Sequence, residues 1–115
     1  MPLVKVTTSA EWNKQNRNEL LTAISKAAAE ATGKPESYLM VTLDRAETCF
    51  AGECGPCAYV DVRGIGGLTP EVNRNLSKAI SDILESELGV APDRTYLTFT
   101  DVPAANWGWR GSTFG

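Results

Sequence analysis

The chain has 115 residues, 43% of them apolar and 22% charged, with 14 carboxylates against 11 basic side chains and no histidine. That length fits one domain, residues 1–115, with a modest core. The scattered basic residues form no phosphate-neutralising stripe, which excludes a nucleic-acid binder, and no run nears the roughly 20 apolar residues needed for membrane insertion.

Leu3 to Thr8 alternates Val4 and Val6 against Lys5 and Thr7, the two-residue period of a half-buried strand. A helix is expected from about Trp12 to Thr32. Leu20, Leu21, Ile24, Ala27, Ala28 and Ala31 recur at the three-and-four spacing of one buried face. Gly33 supplies its C-terminal cap and Pro35 stops continuation. Tyr38 to Leu43 reads as a second strand. From Asp44 to Pro56 the periodicity fails, predicting a loop with a short bridge near Thr48 to Phe50. Cys57 to Arg63 alternates again and is broken by Gly64, Gly66 and Gly67. Thr69-Pro70-Glu71 opens a helix: the threonine caps free amides, and proline at the first helical position forfeits no bond. Val72, Leu76, Ala79, Ile80, Ile83, Leu84 and Leu88 form its apolar stripe before Gly89. Thr95 to Thr100 is a fourth strand, and the tail with Trp107 and Trp109 is placed as a short edge strand.

The stretch Gly33 to Leu39 echoes Gly89 to Leu97, each following a helix and preceding a strand. The chain therefore reads as two βαβ halves, about 2–43 and 57–100. The expected class is α/β (α+β), a four-stranded mixed sheet with both helices on one face. Consecutive apolar residues at Tyr38, Leu39, Met40 and Val41 predict that the second face is apolar too and is covered by other subunits.

Pro2 follows the initiator methionine, and a small second residue permits removal of Met1. Proline there either stiffens a terminus or, once uncovered, supplies a secondary amine. Free α-amino groups titrate near about 7.7–8.0, and burial beside a cation lowers that value, so such an amine is a base near neutrality in a chain without histidine. Lys34, just past a helix end, either complements the helix dipole or clamps a carboxylate. Glu30, Glu36, Asp93 and Asp101 read as surface or cap groups.

Cys54-Gly55-Pro56-Cys57 has the spacing of a redox dithiol but leads into a strand, whereas such thiolates are stabilised at a helix N-terminus. Cys49, Cys54 and Cys57 lack the fourth ligand of a zinc or iron–sulfur site, so no metal or cofactor is expected. Three cysteines and the lack of a signal-peptide pattern point to the cytoplasm. Gly64-Ile65-Gly66-Gly67 has no Lys-Ser/Thr of a phosphate loop; it is a tight turn or a place where the Ile65 backbone meets a ligand. Tyr96, Trp107, Trp109 and Phe114 supply packing or a pocket wall.

Pro2, Ala31-Thr32-Gly33-Lys34-Pro35, Pro56-Cys57-Ala58, Ser77-Lys78, Pro92-Asp93-Arg94 with Tyr96, and Ala104-Ala105-Asn106 through Gly108-Trp109 to Ser112-Thr113-Phe114 occur in one order along the chain. Together they resemble the macrophage migration inhibitory factor family of the tautomerase superfamily. The resemblance implies a homotrimer with active sites at subunit interfaces, and no cofactor. It implies keto–enol tautomerisation of phenylpyruvate-like aromatic 2-keto acids, with Pro2 as catalytic base and Lys34 holding the carboxylate. Ile65 is then a backbone contact, Tyr96 arrives from the neighbouring subunit, and Trp109 and Phe114 form the wall. Thr98 stands where the family has a pocket asparagine, and Trp107 replaces a small aliphatic residue. Cys57 matches the first cysteine of the family dithiol, but Val60 occupies the place of the second. Animal members also act as cytokines at a cell-surface receptor and leave cells without a signal peptide, so two alternatives accompany the enzyme: a signalling protein with vestigial catalysis, and a thiol oxidoreductase using Cys54 and Cys57.

Overall fold

The alternation at the start of the chain becomes strand β1 (Leu3–Thr8), in which Val4, Val6 and Thr8 are fully buried. The structure, a computed structural model, describes residues 2–115. Helix α1 (Lys14–Thr32) begins two residues later than Trp12, because Asn13 is extended and its side chain accepts the Asn16 amide at 2.9 Å. Trp12 lies instead under the Arg45 guanidinium, 4.4 Å from its ring centroid. Gly33 closes α1 in the left-handed conformation, φ 69°.

Tyr38 is not the first residue of a strand. Residues Glu36–Tyr38 form a 3₁₀ turn, and β2 (Met40–Arg45) starts after it and runs on through Asp44 and Arg45. Parallel pairing with β1 persists to Thr8↔Arg45, so the partner strand sets the far end of β2 where periodicity had faded. The bridge expected near Thr48 to Phe50 is a small hairpin of β3 (Cys49–Phe50) and β4 (Glu53–Cys54). Strand β5 (Ala58–Gly64) then leads to helix α2 (Pro70–Leu88), capped by the Thr69 hydroxyl accepting the Val72 amide at 3.2 Å and ended by Gly89. A second 3₁₀ turn, Pro92–Arg94, precedes β6 (Thr95–Asp101), completing the echo between the halves. In the tail, β7 (Gly108–Trp109) pairs with β8 (Ser112–Thr113) and not with the edge of the main sheet, so the expected edge strand is a separate hairpin.

The main sheet has the order β2-β1-β5-β6. Each half contributes a parallel pair, and the halves join through antiparallel β1 and β5. Val4, Val6, Val60 and Val62 meet Leu20 and Ile24 of α1 and Leu76, Ile80 and Leu84 of α2 in one core. The opposite face is not the apolar surface that the run Tyr38 to Val41 predicted. Tyr38 and Leu39 precede β2, and the strand positions alternate with those facing the core as Lys5, Thr42, Asp61, Arg63, Thr98 and Thr100, with Leu3, Met40, Tyr59 and Tyr96 as the apolar minority.

Thr8 is the fully buried polar side chain of this core. Its hydroxyl donates to the Cys57 carbonyl at 2.8 Å and accepts the Ala10 amide at 3.1 Å, tying β1 to the start of β5. Thr8→Val keeps the shape but removes both bonds. It should cost about 1–3 kcal/mol in urea unfolding at fixed protein concentration, whereas Thr8→Ser should cost less.

Candidate active site

Pro2 stands at the start of a central strand. It is buried, and its carbonyl accepts the Met40 amide at 3.2 Å, extending the β1–β2 pairing by one step. Beside it lies a cavity of about 410 Å³ whose walls include Tyr38, Met40, Trp107, Trp109 and Phe114. Trp109 and Phe114 stack at 5.6 Å with rings 8° apart, and Tyr38 meets Trp109 edge-on at 5.3 Å. The Phe114 amide donates to the Trp107 carbonyl at 3.1 Å, which folds the tail back over this end of the sheet. Arg110 places its guanidinium 5.0 Å from the Trp109 ring centroid, a cation at the margin of the aromatic wall.

Lys34 and Ile65 are joined directly. The Lys34 ammonium donates to the carbonyls of Ile65 at 2.6 Å and Gly66 at 2.8 Å. Gly66 and Gly67 both have positive φ, 68° and 79°, so the loop after β5 turns its carbonyls towards the lysine. A Cβ on Gly67 would lie 3.2 Å from Lys34 Cε. Asp101, at the end of β6, accepts the Gly66 amide at 2.6 Å and holds the same loop from the other side. Burial pushes the Lys34 ammonium below the ordinary lysine range, outweighing the Asp101 carboxylate, which acts in the opposite sense. Leu3 pairs with Arg63, so Gly64 and the loop that follows it emerge at the Pro2 end of the sheet. Lys34 and Ile65 therefore share that end with Pro2, without lining its cavity within one chain.

Tyr96 and Thr98 are placed elsewhere. Both lie on β6, and the registers Thr7↔Tyr59 and Tyr59↔Tyr96 put Tyr96 at the far end of the sheet. About five residues of strand and two interstrand gaps separate it from Pro2, roughly 15–20 Å. Tyr96 is 66% exposed and meets Phe50 edge-on at 4.9 Å. Thr98 shares a 2.6 Å hydrogen bond with the Tyr59 hydroxyl.

The sequence assigns no site role to Tyr38 or Tyr59 and reads Asp101 as a surface or cap group. Tyr38 was assigned to a strand, and the bonds of Tyr59 and Asp101 link positions 39 and 35 residues apart, which leave no local signal. Cys54 is exposed on β4 and Cys57 is buried just before β5, neither at a helix N-terminus. Among the described residues no group of three or more His, Cys, Asp or Glu side chains is placed to hold a metal ion. No helix among them is long and apolar enough to cross a membrane.

Known proteins resemble this architecture along its whole length. The family profile of macrophage migration inhibitory factor matches residues 1–115. The Meriones unguiculatus macrophage migration inhibitory factor is 37% identical over 116 residues, covering 99% of each chain, and that of Rattus norvegicus is 41% identical over 96 residues, covering 82% of this chain and 83% of its own. The crystal structure of the macrophage migration inhibitory factor-like protein from Entamoeba histolytica superposes with a TM-score of 0.95 at 30% identity, covering 98% of both chains. The homologue from Prochlorococcus marinus gives 0.93 at 38% identity, covering 98% of this chain and 99% of its own. With its mixed sheet and paired helices, the chain belongs to the macrophage migration inhibitory factor family, within the tautomerase superfamily.

Proposed function

We propose that this chain is a cofactor-independent keto–enol tautomerase for phenylpyruvate-like 2-keto acids, with the Pro2 nitrogen as general base after removal of Met1. Met1 itself lies outside the described residues. The observation that carries the reading is the burial of Pro2 in the wall of an aromatic cavity. A ring nitrogen freed there has little water to solvate its positive charge, which favours the neutral, basic form at neutral pH. The cavity volume and its aromatic lining suit a ligand with one phenyl ring and a short acid tail.

In the proposed reaction the neutral nitrogen takes a proton from C3 of the keto acid and delivers it to the C2 oxygen, so nothing is consumed. Lys34 supports the reading as the carboxylate partner. Two of its three N–H groups are held by Ile65 and Gly66, which fixes the direction of the third. Ile65 provides a backbone contact, while Trp107, Trp109 and Phe114 hold the aromatic ring.

Tyr96 and Thr98 enter this scheme only from a neighbouring copy, since each chain places Tyr96 at the other end of its own sheet and Thr98 at mid-strand on the edge, two strands away from β1. The proposed assembly is accordingly a homotrimer with its sites between subunits.

Replacing Pro2 by glycine leaves a primary amine of greater freedom. The expected loss is about 10²-fold in kcat/KM for phenylpyruvate, read from enol absorbance on protein whose intact mass shows Met1 absent. Wild-type kcat/KM should rise with pH through the titration of that nitrogen, because the neutral form is the reactive one. An unchanged rate in Pro2→Gly sinks the proposal.

Lys34 gives a second prediction. Its folded pKa is lowered, so its protonated form costs stability at low pH, and that cost lifts as pH rises through the folded value towards the unfolded one. Asp101→Asn keeps an acceptor oxygen for Gly66 but removes the charge that raises the lysine. NMR titration of labelled lysine should find Lys34 below the other lysines in the wild type and lower still in the variant.

A further inference from the structure

The β3–β4 hairpin brings together two of the three cysteines, and not the pair that sequence spacing singles out. Cys49 and Cys54 are register partners across the hairpin, one step beyond Phe50↔Glu53. Ala51 and Gly52 both have positive φ, 55° and 78°, which makes the connection a two-residue type I′ turn and fixes that register. In such a hairpin the pair beside the turn exchanges backbone hydrogen bonds and the next pair does not. Cys49 and Cys54 therefore occupy a non-hydrogen-bonded pair, where Cα atoms lie about 4.5 Å apart and side chains leave the same face. That spacing falls inside the range of about 4.4–6.8 Å spanned by disulfides. Both thiols are free and exposed, while Cys57 is only 5% exposed.

The hairpin is held in place from outside. Arg94 donates to the Glu53 carbonyl at 3.1 Å and to the Pro56 carbonyl at 2.9 Å, and lies 5.7 Å from the centroid of the Phe50 ring. Phe50 in turn meets Tyr96. The two thiols thus sit on a tethered, preformed hairpin, which lowers the entropy needed to join them.

We propose that Cys49 and Cys54 form a reversible disulfide that staples this hairpin against Tyr96, with a low-molecular-weight disulfide as oxidant. One cysteine thiolate of the pair attacks the oxidant, forming a mixed disulfide and releasing one small thiol. The second thiolate then attacks the protein sulfur of that bond and releases the other small thiol. The two cysteines lose two protons and two electrons; the oxidant gains both and leaves as two thiols. Cys57, buried at the start of β5, takes no part.

The test uses the full-length protein equilibrated with oxidised and reduced glutathione, alkylated, and analysed by intact mass and peptide mapping. The expected product has lost two hydrogens, carries a Cys49–Cys54 link, and retains a Cys57 that alkylates only after denaturation. Cys57→Ser should leave the link intact, whereas Cys49→Ser and Cys54→Ser should each stop at a glutathione adduct. Amide exchange at Phe50 and Tyr96 should slow on oxidation in the wild type and not in either of the latter variants. A Cys54–Cys57 link, mixed adducts alone in the wild type, dimers through intermolecular disulfides, or unchanged exchange at Tyr96 would each overturn the proposal. None of these readouts involves turnover, so their outcome is separate from that of the tautomerase reading.

Discussion

The antiparallel seam between β1 and β5 is the constraint on which the rest of the molecule depends. It joins two parallel pairs, and its register puts Val4, Val6, Val60 and Val62 on one side with essentially no exposure. A slip of one residue would turn one strand's pair of valines away from the core while the other pair stayed, so the register is strongly specified. Chain ends usually fray because little holds them. Here the first strand is central and paired on both edges, and Pro2 is buried as a consequence. The same register brings Gly64, and with it the loop that engages Lys34, to the Pro2 end.

The two halves use one local code for different ends. Each helix closes on a left-handed glycine, Gly33 or Gly89, and each is followed by a 3₁₀ turn and a parallel strand. After Gly33 comes Lys34, whose ammonium reaches the loop beyond β5. After Gly89 comes Val90, which is fully buried in the core. The repeat supplies the scaffold, and the residue after the cap decides whether that corner carries charge or packing. Asp101 completes the charged corner by gripping Gly66 from β6, so one loop is fixed by both halves.

Where a signal is local, the sequence was legible. Thr69-Pro70 and the two capping glycines located helix ends closely because each satisfies or forfeits a bond within one turn. Strand ends were less legible: β2 is extended by its pairing with β1, which nothing between Asp44 and Arg45 announces. The uncovered face was misread because Tyr38 and Leu39 were counted into a strand that begins at Met40, and a run crossing an element boundary carries no facing information. Of the expected site residues, Pro2, Trp107, Trp109 and Phe114 line one cavity, whereas Lys34, Ile65, Tyr96 and Thr98 lie outside it within one chain. Tyr38, in the wall of that cavity, was hidden by the strand error. The Cys49–Cys54 pairing depends on Ala51 adopting positive φ, which alanine gives no reason to expect.

The separation of Pro2 from Tyr96 bears on what a single chain can do. A small keto acid cannot touch residues at opposite ends of a sheet, so a site using both requires the edge strand of one copy to approach the first strand of another. The edges favour such an approach. Strands β2 and β6 are six and seven residues long, contain no proline, and leave one row of backbone groups each without a partner in the four-stranded sheet. Isolated proteins blunt such edges with proline, bulges or very short strands. The uncovered face, meanwhile, is rich in hydroxyl and charged side chains, suited to a wet surface and poorly suited to a dry, apolar one. In the proposed assembly, edge-to-edge association with that face left hydrated would satisfy both observations and would carry Tyr96 and Thr98 across the boundary on the strand that makes the contact.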